Sequence, residues 1–278
     1  GACQRELRHP RVDLGRTLAQ TSTGEASGNI LLNIENLTAT GLNDTIISSS
    51  AANVIEGGAG TDTISYVNSG IGVTIDLLST VAQVSGGDGA GDVLTNFENL
   101  TGSGQGDVLS GTSGVNVILG LGGNDTIEGR AGADTIDGGD GSDTASYANA
   151  GAAVTVDISV NGSTQTGTGD QTGDVLTNIE NLTGSIYADS LIGSTGANVL
   201  SGGDGNDTLE GLAGADTIAG GEGVDTVTYA RSSLAVTVDL TLASGQSGGD
   251  AEGDLLSSIE NLTGSNQADT LSGNSAVN

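Results

Sequence analysis

Gly202-Gly203-Asp204-Gly205-Asn206-Asp207-Thr208-Leu209 is the stretch of sequence that decides the fold. It forms most of a nine-residue unit, G-x-x-G-x-D-T-I-x, that occurs fourteen times in the chain. Two other close copies begin at Gly57 and at Gly138. The register is uninterrupted within each block of copies, and a fixed short period of this kind is typical of solenoid proteins.

Each unit predicts one turn and one strand. Position 8 is aliphatic in every copy except one, where Ala145 stands, and positions 7 to 9 are typically Thr-Ile-x. Such β-branched residues favour a short strand whose aliphatic side chain points inward. Positions 1 to 6 hold glycine, Asp and Asn, which allow tight turns with positive φ. Two units then make one flattened coil of 18 residues, with strands on two faces and loops on two edges.

The composition supports a thin repeat structure. The 278 residues include 49 Gly and one Phe but no Trp or Met, and 35% are hydrophobic. A solenoid needs only one or two buried aliphatic residues per turn. A Gly/Asp-rich disordered linker is the alternative, but it would not keep an aliphatic residue at every ninth position. The glycine content excludes a helical fold. The sequence predicts an all-β fold: a right-handed parallel β-roll, or β-solenoid, of Gly/Asp-rich nonapeptides with β-rich spacer segments.

The chain is strongly acidic. Its formal net charge is −29, and six Arg with no Lys supply all the fixed positive charge. This balance excludes nucleic acid as a partner and disfavours an anionic membrane surface. No run approaches the roughly 18 apolar residues that a membrane span needs. We expect bound cations to neutralise the carboxylates, and without them we expect a largely disordered chain.

The nonapeptides resemble the RTX, or haemolysin-type, calcium-binding repeats of secreted bacterial proteins, and the resemblance covers nearly all of the chain. It implies a parallel β-roll that binds several Ca²⁺ ions between coils. The implied ligands are the carbonyls of positions 2 and 4 and the Asp of position 6 of one unit. The carbonyls of positions 1 and 3 and the Asp of position 6 of the unit two later complete an all-oxygen shell.

Carried onto this chain, the resemblance implies up to about seven roll sites. Five have two aspartates: Asp44 with Asp62, Asp107 with Asp125, Asp125 with Asp143, Asp189 with Asp207, and Asp207 with Asp225. Two combine an asparagine with an aspartate: Asn116 with Asp134, and Asn198 with Asp216. Asp269 opens the fourth block. The backbone ligands come from Gly57, Gly120, Gly122, Gly123, Gly129, Ala131, Gly138, Asp140, Gly202, Gly203, Asp204, Gly205, Gly211, Ala213, Gly220 and Glu222. The second unit of every block has Asn at position 6 (Asn53, Asn116, Asn198, Asn278), and we expect these sites to bind more weakly.

Spacer segments separate the blocks and recur in three copies. Each contains a Val-Thr-x-Asp strand pattern and ends in Glu-Asn-Leu-Thr-Gly. A Gly-Asp-x-x-Gly-Asp pattern lies between them, at Asp88/Asp92, Asp170/Asp174 and Asp250/Asp254. These aspartates form either another calcium loop or solvated turns. Asp76, Asp157 and Asp239 are predicted to be surface groups at strand ends.

Two further recurring features of the spacers, a tyrosine and an Asn-Leu-Thr sequence, leave alternatives open. Tyr66, Tyr147 and Tyr229 each follow the last unit of a block, where packing at the junction is expected and a carbohydrate platform is the alternative. Asn-Leu-Thr matches an N-glycosylation sequon at Asn36, Asn99, Asn181 and Asn261. We favour a structural role, in which the Asn side chain stabilises a corner of the solenoid by hydrogen bonds.

The repeats and spacers divide the chain into five segments. Residues 1–23 are a partial spacer with a non-repeat end, and 24–65 are a partial module with three units. Two full modules of spacer and five units cover 66–146 and 147–228, and 229–278 hold a spacer with a truncated block. The first ten residues are Arg-rich and include Cys3, which we expect to be a free thiol. We interpret the chain as a fragment of a longer array or as having an artificial end.

No catalytic motif is present, so we expect no enzyme activity. His9 is the only histidine and lies outside the repeats, which excludes a Ser-His-Asp triad, and HExxH, GxSxG and P-loop patterns do not occur.

The predicted function is a calcium-folded structural segment of a secreted or cell-surface bacterial protein, of adhesin, surface-layer or filament type. The alternative is the C-terminal β-roll of a secreted protease, lipase or alginate epimerase. The expected partners are calcium ions, flanking modules of a longer chain, and self-association or a surface ligand. The resemblance implies type I secretion and folding in extracellular calcium.

Overall fold

The computed structural model describes residues 11–15, 34–242 and 245–275, and these form short strands with two 3₁₀ turns at Gly87–Gly89 and Gly249–Ala251. The strands β1 to β25 are, in chain order, Arg11–Asp13, Asn36–Thr38, Thr45–Ile47, Val54–Glu56, Thr63–Ser65, Thr74–Asp76, Val93–Thr95, Asn99–Thr101, Val108–Ser110, Val117–Gly122, Thr126–Glu128, Thr135–Asp140, Thr144–Ser146, Thr155–Asp157, Val175–Thr177, Asn181–Thr183, Ser190–Ile192, Val199–Asp204, Thr208–Glu210, Thr217–Glu222, Thr226–Thr228, Thr237–Asp239, Leu255–Ser257, Asn261–Thr263 and Thr270–Ser272. The Arg-rich first ten residues, residues 16–33 and Asn278 lie outside the described residues.

The chain divides into two compact units. The first comprises the described residues of 1–129 and 134–141, and the second those of 130–133 and 142–278. Within each unit the paired strands are parallel, as predicted for a β-roll. The five predicted module boundaries stay a prediction.

The first unit contains three stacks of strands. Hydrogen bonds join them in the orders β1-β3-β5-β8-β10-β12, β2-β4-β7 and β6-β9-β11. The second unit contains the orders β13-β16-β18-β20-β23, β14-β17-β19-β21-β24 and β22-β25. These parallel stacks confirm the predicted all-β fold.

The register confirms that two nonapeptides make one coil. Position 8 of each unit is paired with position 8 of the unit two later, as in Ile46 with Ile64 and Leu200 with Ile218. These aliphatic side chains are almost completely buried and form the core between the two faces. Leu271, in the last described strand of its stack, is 42% exposed because no later strand covers it.

The spacers continue the coil within each unit. In the first unit, β8 of the spacer pairs with β5 of the preceding block and with β10 of the following block. In the second unit, β16 pairs in the same way with β13 and β18. A spacer contributes three strands, which is an odd number. The stack formed by the odd-numbered units of one block therefore continues with the even-numbered units of the next block. The stack of even-numbered units ends in the spacer, at β7 in the first unit and β23 in the second.

Candidate calcium-binding sites

The position 6 carboxylates form a ladder along the loop edges of the coils. In each pair, one carboxylate oxygen accepts a hydrogen bond from the backbone N–H of position 6 two units earlier. Asp207 accepts from the Asp189 N–H at 2.8 Å, and Asp225 accepts from the Asp207 N–H at 2.8 Å. The other pairs with this bond are Asp44 with Asp62, Asp107 with Asp125, Asn116 with Asp134, and Asn198 with Asp216, at 2.7 to 2.8 Å. The fold therefore brings together six of the seven predicted pairs.

The seventh predicted pair, Asp125 with Asp143, spans the two compact units. Its two residues are buried in their own units, and the site between them stays a prediction.

The second carboxylate oxygen is left open in the third unit of the first block and in the third to fifth units of the third block. Oδ2 of Asp62, Asp207, Asp216 and Asp225 is buried and has no hydrogen-bond partner among the described residues. The side chains are no more than 1% exposed. A buried carboxylate oxygen without a partner is costly, and a bound cation would compensate it.

Backbone carbonyls converge on the same oxygens. Beside Gly202, the position that a Cβ would occupy lies against Asp207 Oδ2 and 2.5 Å from the Gly220 carbonyl oxygen. Gly120 is in the same position relative to Asp125 Oδ2 and the Gly138 carbonyl. The absence of a side chain at position 1 thus leaves a cradle lined by a carboxylate and a carbonyl from two successive coils. Oxygen ligands of these two kinds suit Ca²⁺.

The carbonyls of positions 2 to 4 are stacked from coil to coil. The Gly203 and Gly205 carbonyls face Gly221 and Gly223 of the next coil, where φ values of 115° and 147° require glycine and a Cβ would overlap the carbonyl. The carbonyls of Asp140 and Glu222 accept hydrogen bonds from the N–H groups of Gly123 and Gly205, at 2.9 and 2.8 Å. Among the remaining predicted carbonyl ligands, Gly122 and Asp204 are the last residues of β10 and β18, and the others lie outside the strands, at Gly57, Gly129, Ala131, Gly211 and Ala213. Their role as ligands stays a prediction.

Burial shifts the ionisation of these carboxylates. Desolvation raises the pKa of Asp207 from 3.8 to about 6, and the charges of Asp189 and Asp225 add to the shift. Desolvation also raises the pKa of Asp216 to about 6. In each residue, the backbone N–H bond partly offsets this effect. Stacked negative charges therefore repel each other, and a divalent cation would relieve the repulsion.

The first unit of each block differs from the third and later units. Position 2 is Thr40, Ser103, Ser185 or Ser265, whereas from the third unit onward it is Gly, Leu or Arg. Ser103 donates its backbone N–H to Asp107 Oδ2 at 2.6 Å and its hydroxyl to Asp107 Oδ1 at 2.9 Å. Asp269 accepts hydrogen bonds from the Ser265 hydroxyl at 2.7 Å and the Val236 N–H at 2.9 Å. These first-unit carboxylates thus already have protein donors.

The Asn of the second unit has a hydrogen-bonding role that an Asp could not fill. Asn116 donates its side-chain amide to the Glu98 carbonyl at 2.5 Å, and Asn198 donates to the Glu180 carbonyl at 2.6 Å. Their Oδ1 atoms accept the N–H of Thr112 and Ser194 at 2.7 Å. A carboxylate has no proton to donate to a carbonyl, which explains the departure from the repeat at these positions.

The site predicted for Asp134 and Asn116 differs from the aspartate sites. Asp134 is completely buried, and its Oδ1 accepts the Asn116 N–H at 2.8 Å. Beside Gly111, the position of a Cβ overlaps Asn116 Oδ1 and lies 2.9 Å from the Gly129 carbonyl oxygen. The side-chain oxygen in this cradle already accepts the Thr112 N–H, so it is not open as Oδ2 of Asp207 is. The Asn116 oxygen beside the site predicted for Asp134 thus already accepts a bond from a protein donor, and the ligand set of Asp134 stays a prediction.

The division of the chain also affects Asp134. It belongs to the first compact unit, whereas Ala131, a predicted carbonyl ligand of the same nonapeptide, belongs to the second. Calcium binding by Asp134 and the weaker binding expected of the Asn sites both stay predictions.

The second aspartate of the spacer pattern neither lies in a solvated turn nor is left open. Asp92, Asp174 and Asp254 are fully buried. They accept the hydroxyl protons of Tyr66, Tyr147 and Tyr229 at 3.0, 2.8 and 2.9 Å. Asp92 Oδ1 also accepts the Asn53 N–H at 2.8 Å, and Asp254 Oδ1 accepts the Asp216 N–H at 2.9 Å. Asp92 and Asp254 therefore continue the ladder of the even-numbered units, and the tyrosine occupies the oxygen that is open elsewhere.

This arrangement corrects the expectation of solvated turns and supports the packing role of the tyrosines, which are at most 2% exposed. The two residues of each pair are about 25 positions apart, so the local sequence pattern did not reveal their contact. The first aspartates of the pattern, Asp88, Asp170 and Asp250, are partly exposed.

The remaining spacer predictions agree with the structure. Asn99 and Asn181 accept the N–H of Val117 and Val199 at 2.8 Å, which supports the structural interpretation of the sequon. Asp76 and Asp239 are the last residues of β6 and β22, and each accepts the backbone N–H two positions later at 2.8 Å. They are surface groups at strand ends, as predicted.

The sequence analysis missed a third set of ladder residues. Glu98, Glu180 and Glu260 accept the N–H of Asp62, Asp143 and Asp225 at 2.8, 2.9 and 2.9 Å. The signal was present in the register: Glu98 precedes Asn99-Leu100-Thr101 as a position 6 aspartate precedes Thr-Ile-x. Leu100 is fully buried and pairs with Ile64, so it occupies position 8.

No group of three or more His, Cys, Asp or Glu side chains converges within the described residues. The ladder pairs agree with this, since each combines two side chains with backbone oxygens. Nor does any helix in the described part of the chain have the length and apolar character to span a membrane.

The comparisons with known proteins agree with the geometry of the ladder. The RTX calcium-binding nonapeptide repeat matches the chain in four copies, at residues 38–66, 110–145, 183–218 and 192–227. A search of curated proteins found no match. The matched segments contain position 6 carboxylates and buried position 8 residues of all three longer blocks. The chain therefore contains RTX calcium-binding nonapeptide repeats.

Proposed function

We propose that the chain is a calcium-folded, noncatalytic segment of a secreted or cell-surface bacterial protein, of adhesin, surface-layer or filament type. The observation that carries the calcium part is the buried Oδ2 of Asp207 beside the Gly220 carbonyl. The same arrangement recurs along the ladder, so calcium would bind at several equivalent positions between coils. Up to about seven ions correspond to the seven predicted pairs.

The structural role rests on the way in which the blocks are joined. A spacer strand pairs with both neighbouring blocks within each unit, as β8 does with β5 and β10. Modules joined by shared sheets favour an extended, load-bearing array of flanking modules over a single compact roll attached to an enzyme. RTX repeats are typical of secreted proteins, and extracellular calcium would fill sites of this kind after export.

The calcium part is tested by far-UV circular dichroism during a calcium titration. Chelated protein is expected to lack strand structure and to gain it cooperatively at about 10⁻⁴ to 10⁻³ M calcium, the range of extracellular modules. Magnesium is the matched control and should substitute poorly, because it demands a smaller octahedral shell. A chain that is fully folded in chelator would contradict the proposal.

The structural part is tested separately by the sequence that flanks this segment in the intact gene. Further modules of spacer and nonapeptides on both sides support an array. A hydrolase or epimerase domain directly before the segment would contradict the noncatalytic array and support a β-roll that follows an enzyme.

A further inference from the structure

We infer that Glu98, Glu180 and Glu260 complete three additional calcium sites, at the end of the odd-numbered units of each block. The paired carboxylates would be Asp62 with Glu98, Asp143 with Glu180, and Asp225 with Glu260. These glutamates lie in the spacers, outside the nonapeptides. The inference rests on the proposed calcium binding and adds ligands that the repeat pattern does not contain.

The glutamates accept the same backbone hydrogen bond as the position 6 aspartates. Asp225 donates its backbone N–H to Glu260 Oε2 at 2.9 Å, just as Asp207 donates to Asp225 at 2.8 Å. Asp62 and Glu98 repeat this relationship at 2.8 Å. A glutamate carboxylate therefore occupies the place of a position 6 aspartate in the coil that follows the last unit.

An open carboxylate oxygen lies on the other side of the site at Asp62 and at Asp225. Asp62 and Asp225 are completely buried, and Oδ2 of each has no hydrogen-bond partner among the described residues. Each belongs to the last unit of its block, so no later nonapeptide supplies a ligand. The next coil contains the glutamate instead.

A backbone carbonyl faces the same oxygen. Beside Gly220, the position of a Cβ lies 2.5 Å from Asp225 Oδ2 and overlaps the Ser258 carbonyl oxygen. Beside Gly57, the equivalent position lies 3.0 Å from Asp62 Oδ2 and overlaps the Asn96 carbonyl oxygen. In a regular site, such as that beside Gly202, the carbonyl comes from position 1 of the unit two later.

The backbone of the spacer makes this substitution possible. Asn96, Asn178 and Ser258 have φ values of 54°, 51° and 52°. Each stands two residues before its glutamate, and this left-handed turn replaces the longer glycine loop between positions 1 and 6. The side chain of Glu is one methylene longer than that of Asp, which suits a carboxylate carried on a shorter loop.

The ends of the even-numbered stacks provide the contrast. There Asp92 and Asp254 each accept a tyrosine hydroxyl, so the protein itself supplies a donor. Glu98 and Glu260 have no such partner: Oε1 of each accepts no hydrogen bond from the described part of the chain. In the spacer after the first block and in the spacer after the third, the even-numbered stack is thus closed by a tyrosine, and the odd-numbered stack offers two carboxylates and a carbonyl to a divalent cation.

The test is to count bound calcium ions by native mass spectrometry and isothermal titration calorimetry in Glu260→Gln, Glu98→Gln and the triple variant that includes Glu180→Gln. Gln keeps an oxygen that accepts the Asp225 N–H but removes the charge. We expect each single variant to bind one ion fewer at a calcium concentration that fills the other sites, and the triple variant three fewer. Glu252→Gln is the matched control, because Glu252 is exposed and also accepts a backbone N–H, at 2.9 Å.

The outcomes separate this inference from the proposed function. Wild-type protein that binds no calcium would overturn both. If Asp207→Asn lowers the ion count while Glu260→Gln and Glu98→Gln do not, only the glutamate sites are overturned. If a glutamate variant loses several ions together with strand signal in saturating calcium, the glutamate has a structural role and the ligand assignment is wrong.

Discussion

Tyr229 donates its hydroxyl proton to Asp254 across 2.9 Å, and at 1% and 0% exposure neither side chain reaches solvent. The contact joins the residue that follows one block to the spacer loop that comes before the next. Burial and the charge of Asp254 raise the pKa of Tyr229, so the hydroxyl keeps its proton and remains a donor. The equivalent contact of Tyr66 differs in one respect: Asp92 Oδ2 also accepts the Ser48 hydroxyl at 2.7 Å.

Tyr229→Phe should therefore destabilise the calcium-loaded protein by about 1–3 kcal/mol, because a buried carboxylate loses a donor. Tyr66→Phe should cost less, since Ser48 still donates to Asp92. Chemical denaturation in saturating calcium measures both values. Tyr187→Phe, at an exposed tyrosine, is the control and should have little effect. Equal costs for Tyr66→Phe and Tyr229→Phe would show that Ser48 does not compensate.

Replacement of a shared ligand should have a larger effect than replacement of an end ligand. Asp207 belongs to two predicted sites, with Asp189 and with Asp225, whereas Asp44 belongs to one. Asp207→Ala should raise the calcium midpoint of folding more than Asp44→Ala. Asp76→Ala removes a carboxylate at a strand end outside the ladder and serves as the control. A midpoint for Asp207→Ala equal to that for Asp76→Ala would refute the site assignment.

A methyl group at position 1 should obstruct a site. The Cβ of Gly202→Ala would overlap Asp207 Oδ2 and lie 2.5 Å from the Gly220 carbonyl oxygen. We expect weaker calcium binding and a higher folding midpoint in a circular dichroism titration. Gly104→Ala is the matched turn variant, because nothing lies within 4 Å of its Cβ. Similar midpoints for the two variants would place the ion elsewhere.

Acid should stabilise the calcium-free fold. Burial raises the pKa of Asp207 and Asp216 to about 6 and that of Asp254 to about 7 in the folded chain, above the ordinary value of 3.8. The folded chain then binds more protons than the unfolded chain between about pH 4 and pH 7, so its stability falls as pH rises through this window.

In calcium-free buffer we therefore expect strand signal to increase when the pH is lowered from about 7.5 to about 5. In the presence of calcium, protons compete for the same carboxylates, and the calcium midpoint should rise over the same range. Both effects are measured by circular dichroism at a series of pH values. Strand signal that instead grows with increasing pH in the absence of calcium would contradict the pKa shifts.

The period of the sequence was sufficient to predict the strands, their parallel pairing and the 18-residue coil. Position 8 residues such as Ile64 and Leu209 are buried because their nine-residue spacing matches half of the 18-residue coil. The pairing of Asp189 with Asp207 follows from the same spacing.

The spacer contacts could not be predicted in this way, because they join residues at irregular separations. Glu98 lies six residues after Asp92, so the two carboxylates do not fit a nine-residue period although both continue the ladder. Tyr66 and Asp92 meet only because the intervening chain folds out and returns to the stack. The strands of the spacer stay in register with the blocks, but the loops between them differ in length, so the register does not show as a fixed period in the sequence.

The odd number of strands in a spacer has a mechanical consequence. In the second unit, the stack that contains β16 runs through the spacer before β17, while the stack that contains β21 runs through the next one into β24. At each spacer one stack of strands ends and the other continues. In this unit, the stack that continues through the first of these spacers is the one that ends at the next. If this unit is under tension, the hydrogen bonds between parallel strands bear the load at each spacer. The blocks would therefore not separate at a spacer before the hydrogen bonds between the strands break.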